Sequence, residues 1–183
     1  MPITISKRLK ITAQLTRGLF LTDPNRSPWG RVWQLFSRFT WELPQTLMGW
    51  LYSVGRALAG QIDRVDTLGG ITFATKSSCA YLMGVSLGTF VDLWTVPWMC
   101  GEGEGFVLAN PICQHEFGHT ADSRRFGWFY LPLIGLPSLL STLGKGDHNA
   151  FWTEIRANRH AKRYFSKNYA IAWNETNYPT LLG

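Results

Sequence analysis

The 183-residue sequence is short of charge and of cysteine. Asp, Glu, Lys and Arg together make up 16% of it, and apolar residues 45%, a balance that excludes a charge-rich disordered tail. Cys79, Cys100 and Cys113 are too few for a disulfide framework, and none stands in a C-x-x-C spacing. Free thiols made in a reducing compartment are expected, with room for one disulfide. No block of five or six like charges occurs: the basic residues are scattered as Lys7, Arg8 and Lys10, then Arg124 with Arg125, then Arg156 to Arg163. That scatter reads as a solvated surface, so no nucleic-acid partner is expected.

Uninterrupted apolar runs are missing too. Residues 126–143 are long and apolar but broken by Pro132, Gly135 and Pro137; residues 43–62 contain Arg56, Gln45 and Gln61. Both are expected to be buried elements of a soluble fold, the first leaving room for peripheral membrane contact. Residues 3–21 contain Lys7, Arg8, Lys10, Gln14 and Arg17, which argues against a cleaved leader. Synthesis in the cytoplasm is expected, and export would need another route.

What is present suffices for one globular domain with its own core. The expected layout is a basic lead-in over residues 1–27 and a single domain over 28–183, monomeric and with a formal charge of +6 that favours acidic partners. Ser27 before Pro28 starts a helix through Phe39, with a cap oxygen and then a pre-set φ. Pro44 restarts the pattern, and Leu47, Leu51, Val54, Leu58 and Ile62 paint one stripe, expected to be the buried side of a scaffold helix. After Gly69-Gly70, residues 71–75 and 81–91 read as strands of a small antiparallel sheet. Gly101, Gly103 and Gly105 lack the Lys-Ser or Lys-Thr of a phosphate loop and read as a flexible loop.

The informative segment is His115-Glu116-Phe117-Gly118-His119. Asn110-Pro111 starts a helix on which His115 and His119, four apart, project from one face one turn apart. Two imidazoles so placed can both reach a zinc ion at about 2.0–2.1 Å. Glu116 is rotated roughly 100° away. It stays off the metal yet beside the open position, as a general base should. A third ligand is needed, and Glu154 is the best candidate: Asp147 can cap a helix from His148 to about Phe165, on which Glu154, Ala157, Asn158, Ala161 and Phe165 share a face. Asn158, one turn on, could accept the other N–H of a ligand imidazole. Asp122 is a rival ligand but lies about 10 Å along the helix from His115. His148 is expected to steady the developing oxyanion, a role that Tyr164 or Tyr130 could also fill.

His-Glu-Phe-Gly-His followed by Trp152-Thr153-Glu154-Ile155-Arg156-Ala157-Asn158-Arg159 resembles the gluzincin pattern of zinc metallopeptidases. The resemblance implies His115, His119 and Glu154 as ligands and Glu116 as base, with Asn158 standing where the family usually has Asp. Residues 40–173, including Trp41 to Thr46, Asp63 to Asp66 and Gly118 to Arg125, also resemble small Bacteroidetes domains and the ends of Rhs-repeat toxin-like proteins. That second resemblance implies a delivered toxin or effector, with an immunity or inhibitor partner.

The expectation is therefore an α+β domain: a helical N-terminal scaffold, a small antiparallel sheet and two helices carrying a Zn2+ site. The strand over 81–91 would offer its edge to an extended peptide. The function expected is hydrolysis of a protein or peptide substrate. The alternatives are a zinc hydrolase acting on a lipid or cell-wall amide, and a non-catalytic toxin-like module holding a closed, four-ligand metal site.

Overall fold

The computed structural model describes residues 3–77, 79–144 and 147–181; residues 1–2 of the expected lead-in and 182–183 of the expected domain lie outside them. The fold is α+β. Its order is α1 (Ile5–Gly18), α2 (Pro28–Phe39), α3 (Leu43–Leu58), β1 (Arg64–Leu68), β2 (Ile71–Lys76), β3 (Met83–Leu87), β4 (Phe90–Trp94), α4 (Glu104–Ala109), α5 (Pro111–Phe126), α6 (Leu136–Leu143) and α7 (Trp152–Tyr169).

The basic lead-in contains a helix. Thr4 caps α1 by accepting from the Lys7 amide, and Ile11 and Leu15 pack with Ala57, Ile62, Ala74 and Phe90 in one of two core clusters. Basic side chains occupy the solvent side of this helix and hide its buried pair from a compositional reading.

The four strands run in the order β1-β2-β4-β3. Two hairpins, β1–β2 through Gly69 and Gly70 (φ 61° and 78°) and β3–β4 through Gly88 (φ 62°), are joined by a parallel β2–β4 pair. The sheet is thus mixed, not antiparallel throughout, and the single strand expected over 81–91 is two, because Gly88 supplies the left-handed turn that reverses the chain. β1 was not expected. The glycine-rich segment ends in α4 rather than continuing as a loop: the Gly103 amide is held by Asp66 Oδ1 at 2.9 Å just before the helix. β3 lies at the sheet edge, against α5.

α2 has a polar inner side, and α3 reverses most of the burial expected of its stripe, of which only Val54 and Ile62 reach the core. Ser27 caps α2 as expected, but its inner side is Gln34, Ser37 and Arg38. Arg38 donates to the carbonyls of Gly18, Leu19, Leu21 and Gly70 at 2.6–3.2 Å. Burial lowers its pKa to about 10 against the opposing pull of Glu42. On α3, Leu47, Leu51 and Leu58 are exposed, while Gln45, Thr46, Gly49, Ser53 and Arg56 face inward. Arg56 and Ser53 bind the Asp92 carboxyl of β4 at 2.6 and 2.7 Å, and Gln45 donates to the Gly127 carbonyl at 2.9 Å. Gln45 Nε2, Ser53 and Arg56 Nη1 find partners there, although Gln45 Oε1, Thr46 Oγ1 and Arg56 Nε have none, so the helix turns its polar side to the sheet and its leucine stripe is left outside. Residues 126–143 likewise are no core element: a 3-10 turn, a π turn over Leu131–Gly135 and α6 follow one another, and Leu133, Leu136, Leu139, Leu140 and Leu143 are exposed. No helix among the described residues is long and apolar enough to cross a membrane.

α7 starts at Trp152, later than expected; Asp147 caps a separate 3-10 turn, His148–Ala150, by accepting from the Asn149 amide. α5 and α7 pack tightly together.

Candidate metal centre

Gly118 sets the contact between α5 and α7. A Cβ there would overlap the carbonyl of Ala157, so only glycine lets the two backbones come this near. Three side chains converge at that crossing. His115 Nε2 lies 3.2 Å and His119 Nε2 3.0 Å from Glu154 Oε2, and all three residues are buried. Ligands at about 2.0–2.1 Å around a tetrahedral zinc stand roughly 3.3 Å apart, so this donor set fits the ion in both chemistry and spacing. Among the described residues it is the one group of three or more His, Cys, Asp or Glu with ligand atoms within 4.8 Å of one another.

The surroundings fix each ligand. His115 Nδ1 meets Asn158 Oδ1 at 2.6 Å, and the Asn158 amide nitrogen donates to the Pro179 carbonyl at 2.9 Å. That second bond orients the amide with its oxygen toward the imidazole, which places the His115 proton on Nδ1 and frees the Nε2 lone pair. The Tyr178 ring lies over His115 at 5.3 Å. On Glu154, Oε1 accepts from Ser138 and Thr153 at 2.6 and 3.0 Å, leaving Oε2 to face the imidazoles. Burial pushes the Glu154 carboxyl up, but the hydrogen bonds and charge of His115 and His119 outweigh it and hold it well below the usual range. Burial lowers His119, and Glu154 more than reverses this, raising it to about 9.

Glu116 stays apart from these atoms. Its Oε2 accepts from the Ser86 hydroxyl at 2.7 Å, and that hydroxyl also reaches the Glu116 carbonyl at 2.8 Å. Strand β3 runs directly over it: a Cβ on Gly84 would collide with the Glu116 carboxylate. The Tyr130 hydroxyl donates to the Ser86 carbonyl at 3.1 Å, and burial pushes its pKa up, so it stays a neutral donor.

A cleft of about 480 Å³ opens on the site. Its walls bring together Gly84 to Leu87 of β3, the two histidines and two glutamates, Tyr130, His148, and apolar side chains such as Met48, Leu136 and Leu139. His148 reaches the rim, with Nε2 3.8 Å from Glu154 Oε2 and Nδ1 2.5 Å from Ser141 Oγ. Tyr164 does not belong here. It sits on another side of α7, against Phe117 at 4.4 Å between ring centroids, and Asn25 bonds its hydroxyl at 3.4 Å. Ten residues past Glu154, it is carried roughly 80° around the helix from it, so its oxyanion role is withdrawn and Tyr130 takes its place as the tyrosine of the cleft. Asp122 is also elsewhere, bonded by Arg156 at 2.6 Å and His160 at 3.1 Å.

Ser86, Ser138, Thr153 and Gly84 were not anticipated. Lone hydroxyls and a strand glycine carry no spacing signal; the fold brings Ser86 and Gly84 of β3 to Glu116, and Ser138 of α6 to Glu154 beside its neighbour Thr153. The three cysteines are free, with Cys113 buried and Cys100 exposed. Comparison of the chain with known protein families, with curated proteins and with solved structures finds no match.

Proposed function

We propose that the protein is a zinc-dependent hydrolase that cleaves peptide bonds. The observation that carries this reading is the arrangement of two histidines and Glu154 as a three-ligand set, with Glu116 held beside it by Ser86 and off it. Three protein ligands leave one coordination position open, which suits a catalytic rather than a structural zinc. Zinc, when bound, supplies the Lewis acid that polarises the scissile carbonyl and acidifies water. Glu116 takes the proton from that water and passes it to the leaving amine. His148 and Tyr130 stand on the cleft walls as candidate donors to the developing oxyanion, Tyr130 only on releasing the Ser86 carbonyl. The edge of β3 gives an extended substrate backbone a strand to lie along.

A second reading is kept alive by the apolar wall of Met48, Leu136 and Leu139: an amide or ester in a lipid or cell-wall component would also fit it. A delivered toxin or effector role, with an inhibitor partner, rests on the sequence resemblance alone.

Cleavage of a peptide library by wild type and by Glu116→Gln tests the reading. Loss of at least about a hundredfold in rate with zinc retained supports it, since general-base removal costs about 10²–10⁴-fold. Equal rates would remove Glu116 from the chemistry, and cleavage of lipid or cell-wall amides alone would favour the second reading.

A further inference from the structure

Large exposed apolar side chains crowd two stretches of the chain. Of 29 exposed among the described residues, twelve fall within 29–58 and seven within 128–143. On α2, Trp29, Val32, Trp33 and Phe36 follow one helical stripe, and Trp29 is 82% exposed. α3 and α6 add theirs, with Leu143 at 79%. The inner sides of α2 and α3 are polar and make hydrogen bonds to the body of the protein through Arg38, Gln45, Ser53 and Arg56, which holds their apolar sides outward.

The face is continuous. The Trp128 indole donates to the Thr40 carbonyl at 2.9 Å and the Trp41 indole to the Arg124 carbonyl at 3.1 Å, which ties the α2–α3 corner to the segment leading into α6. Met48 of α3 and Leu136 of α6 then line the cleft itself. The apolar face therefore runs into the mouth of the metal centre.

Its charge pattern selects the occupant. Glu42 is the sole acid between Asp23 and Asp63, and it is buried, bonded by Ser37. No acid occurs between Asp122 and Asp147. Exposed carboxylates among the described residues are Glu102, Glu104, Asp147 and Glu175, none of them on these helices, whereas Arg31 of α2 and Arg125 near the end of α5 are exposed. A protein-docking face ordinarily carries a polar rim of both signs. Exposed Trp, Phe and Leu beside arginine and without carboxylate match the lipid–water interface.

We propose that the α2–α3–α6 face is a membrane-docking surface, which seats the protein on an anionic bilayer with the cleft mouth at the lipid–water interface. The docking needs no metal. Its consequence, that the substrate is a peptide or amide presented at a bilayer surface, rests on the hydrolase reading.

The test is flotation of the full chain with vesicles of phosphatidylcholine alone and with roughly one third phosphatidylglycerol, an anionic lipid. Wild type floats with the anionic vesicles, and brominated lipid quenches its tryptophans. Trp33→Glu with Leu51→Glu partitions at least about tenfold more weakly, since both side chains lose their place in the interface. Leu181→Glu, which sits against Arg159 and Arg163 of α7, floats as wild type does. Circular dichroism checks that all variants are folded. Glu116→Gln also floats as wild type, so a failed cleavage assay leaves the docking intact. No flotation of wild type overturns the proposal, as does equal flotation of the double variant. A concentration-dependent dimer abolished by the same two substitutions, without vesicle binding, would give the face to a second copy and overturn it too.

Discussion

Replacing Gly118 by alanine should damage the metal centre without touching a ligand. A Cβ at 118 stands 2.6 Å from the Ala157 carbonyl carbon, where ordinary contact begins at 3.4 Å, so α5 and α7 must part by roughly 1 Å. Alanine is favoured over glycine in a helix by about 1 kcal/mol, and overpacking costs about 1–3 kcal/mol. The net loss of stability should therefore be small, about 0–2 kcal/mol. The effect on the site is larger, because Glu154 rides on α7 and both histidines on α5. Spreading them weakens zinc by about 10–100-fold, the range seen when a ligand's support is lost. Gly55 is the control: a Cβ there meets nothing within 4 Å, so Gly55→Ala should stabilise by about 0.5–1 kcal/mol with unchanged affinity. Zinc titration against a competing fluorescent chelator, beside thermal melts, reads both quantities. Wild-type zinc affinity in a folded Gly118→Ala protein would refute the claim that close approach of these helices builds the site.

Three further expectations concern single side chains. Gly84→Ala should keep zinc but lower the cleavage rate by about a hundredfold, because the new Cβ displaces Glu116 by the order of an ångström; an unchanged rate would separate Glu116 from the chemistry. Asn158→Ala should weaken zinc by about tenfold or more by freeing the His115 ring, and isothermal titration at fixed pH reads it. Thiol labelling of the native protein should modify Cys100 first and spare Cys113, whose thiol burial pushes up and whose reactive thiolate is thereby suppressed; rapid labelling of Cys113 would show that its core opens.

The convergence of His115, His119 and Glu154 is readable because helical spacing is strict. The offset of four from His115 to His119, and of four from Glu154 to Asn158, translates directly into side chains on one face once the segments are helical. The oxyanion assignment to Tyr164 failed for the complementary reason: chemical suitability without periodicity says nothing about direction. Sheet topology was only half readable. Glycine turns mark hairpins, but the parallel β2–β4 pair is set by distant packing that no local pattern encodes. On α3 the stripe from Leu47 to Leu58 was found correctly and its meaning was inverted. Periodicity reports that a helix has an apolar side; what covers that side depends on whether Gln45, Ser53 and Arg56 find partners in the body of the protein, and they do. Ser86, Ser138 and Thr153 were invisible, since a hydroxyl becomes a support for a glutamate only where the fold brings the two together.

The most direct test of the central claim is metal content by mass spectrometry on purified wild type, His115→Ala and Glu116→Gln, after reconstitution with zinc and removal of excess. About one zinc per chain is expected in wild type and in Glu116→Gln, and its loss in His115→Ala, because of the two altered residues only His115 is a proposed ligand. Wild type without zinc, or zinc retained at full stoichiometry in His115→Ala, would contradict it.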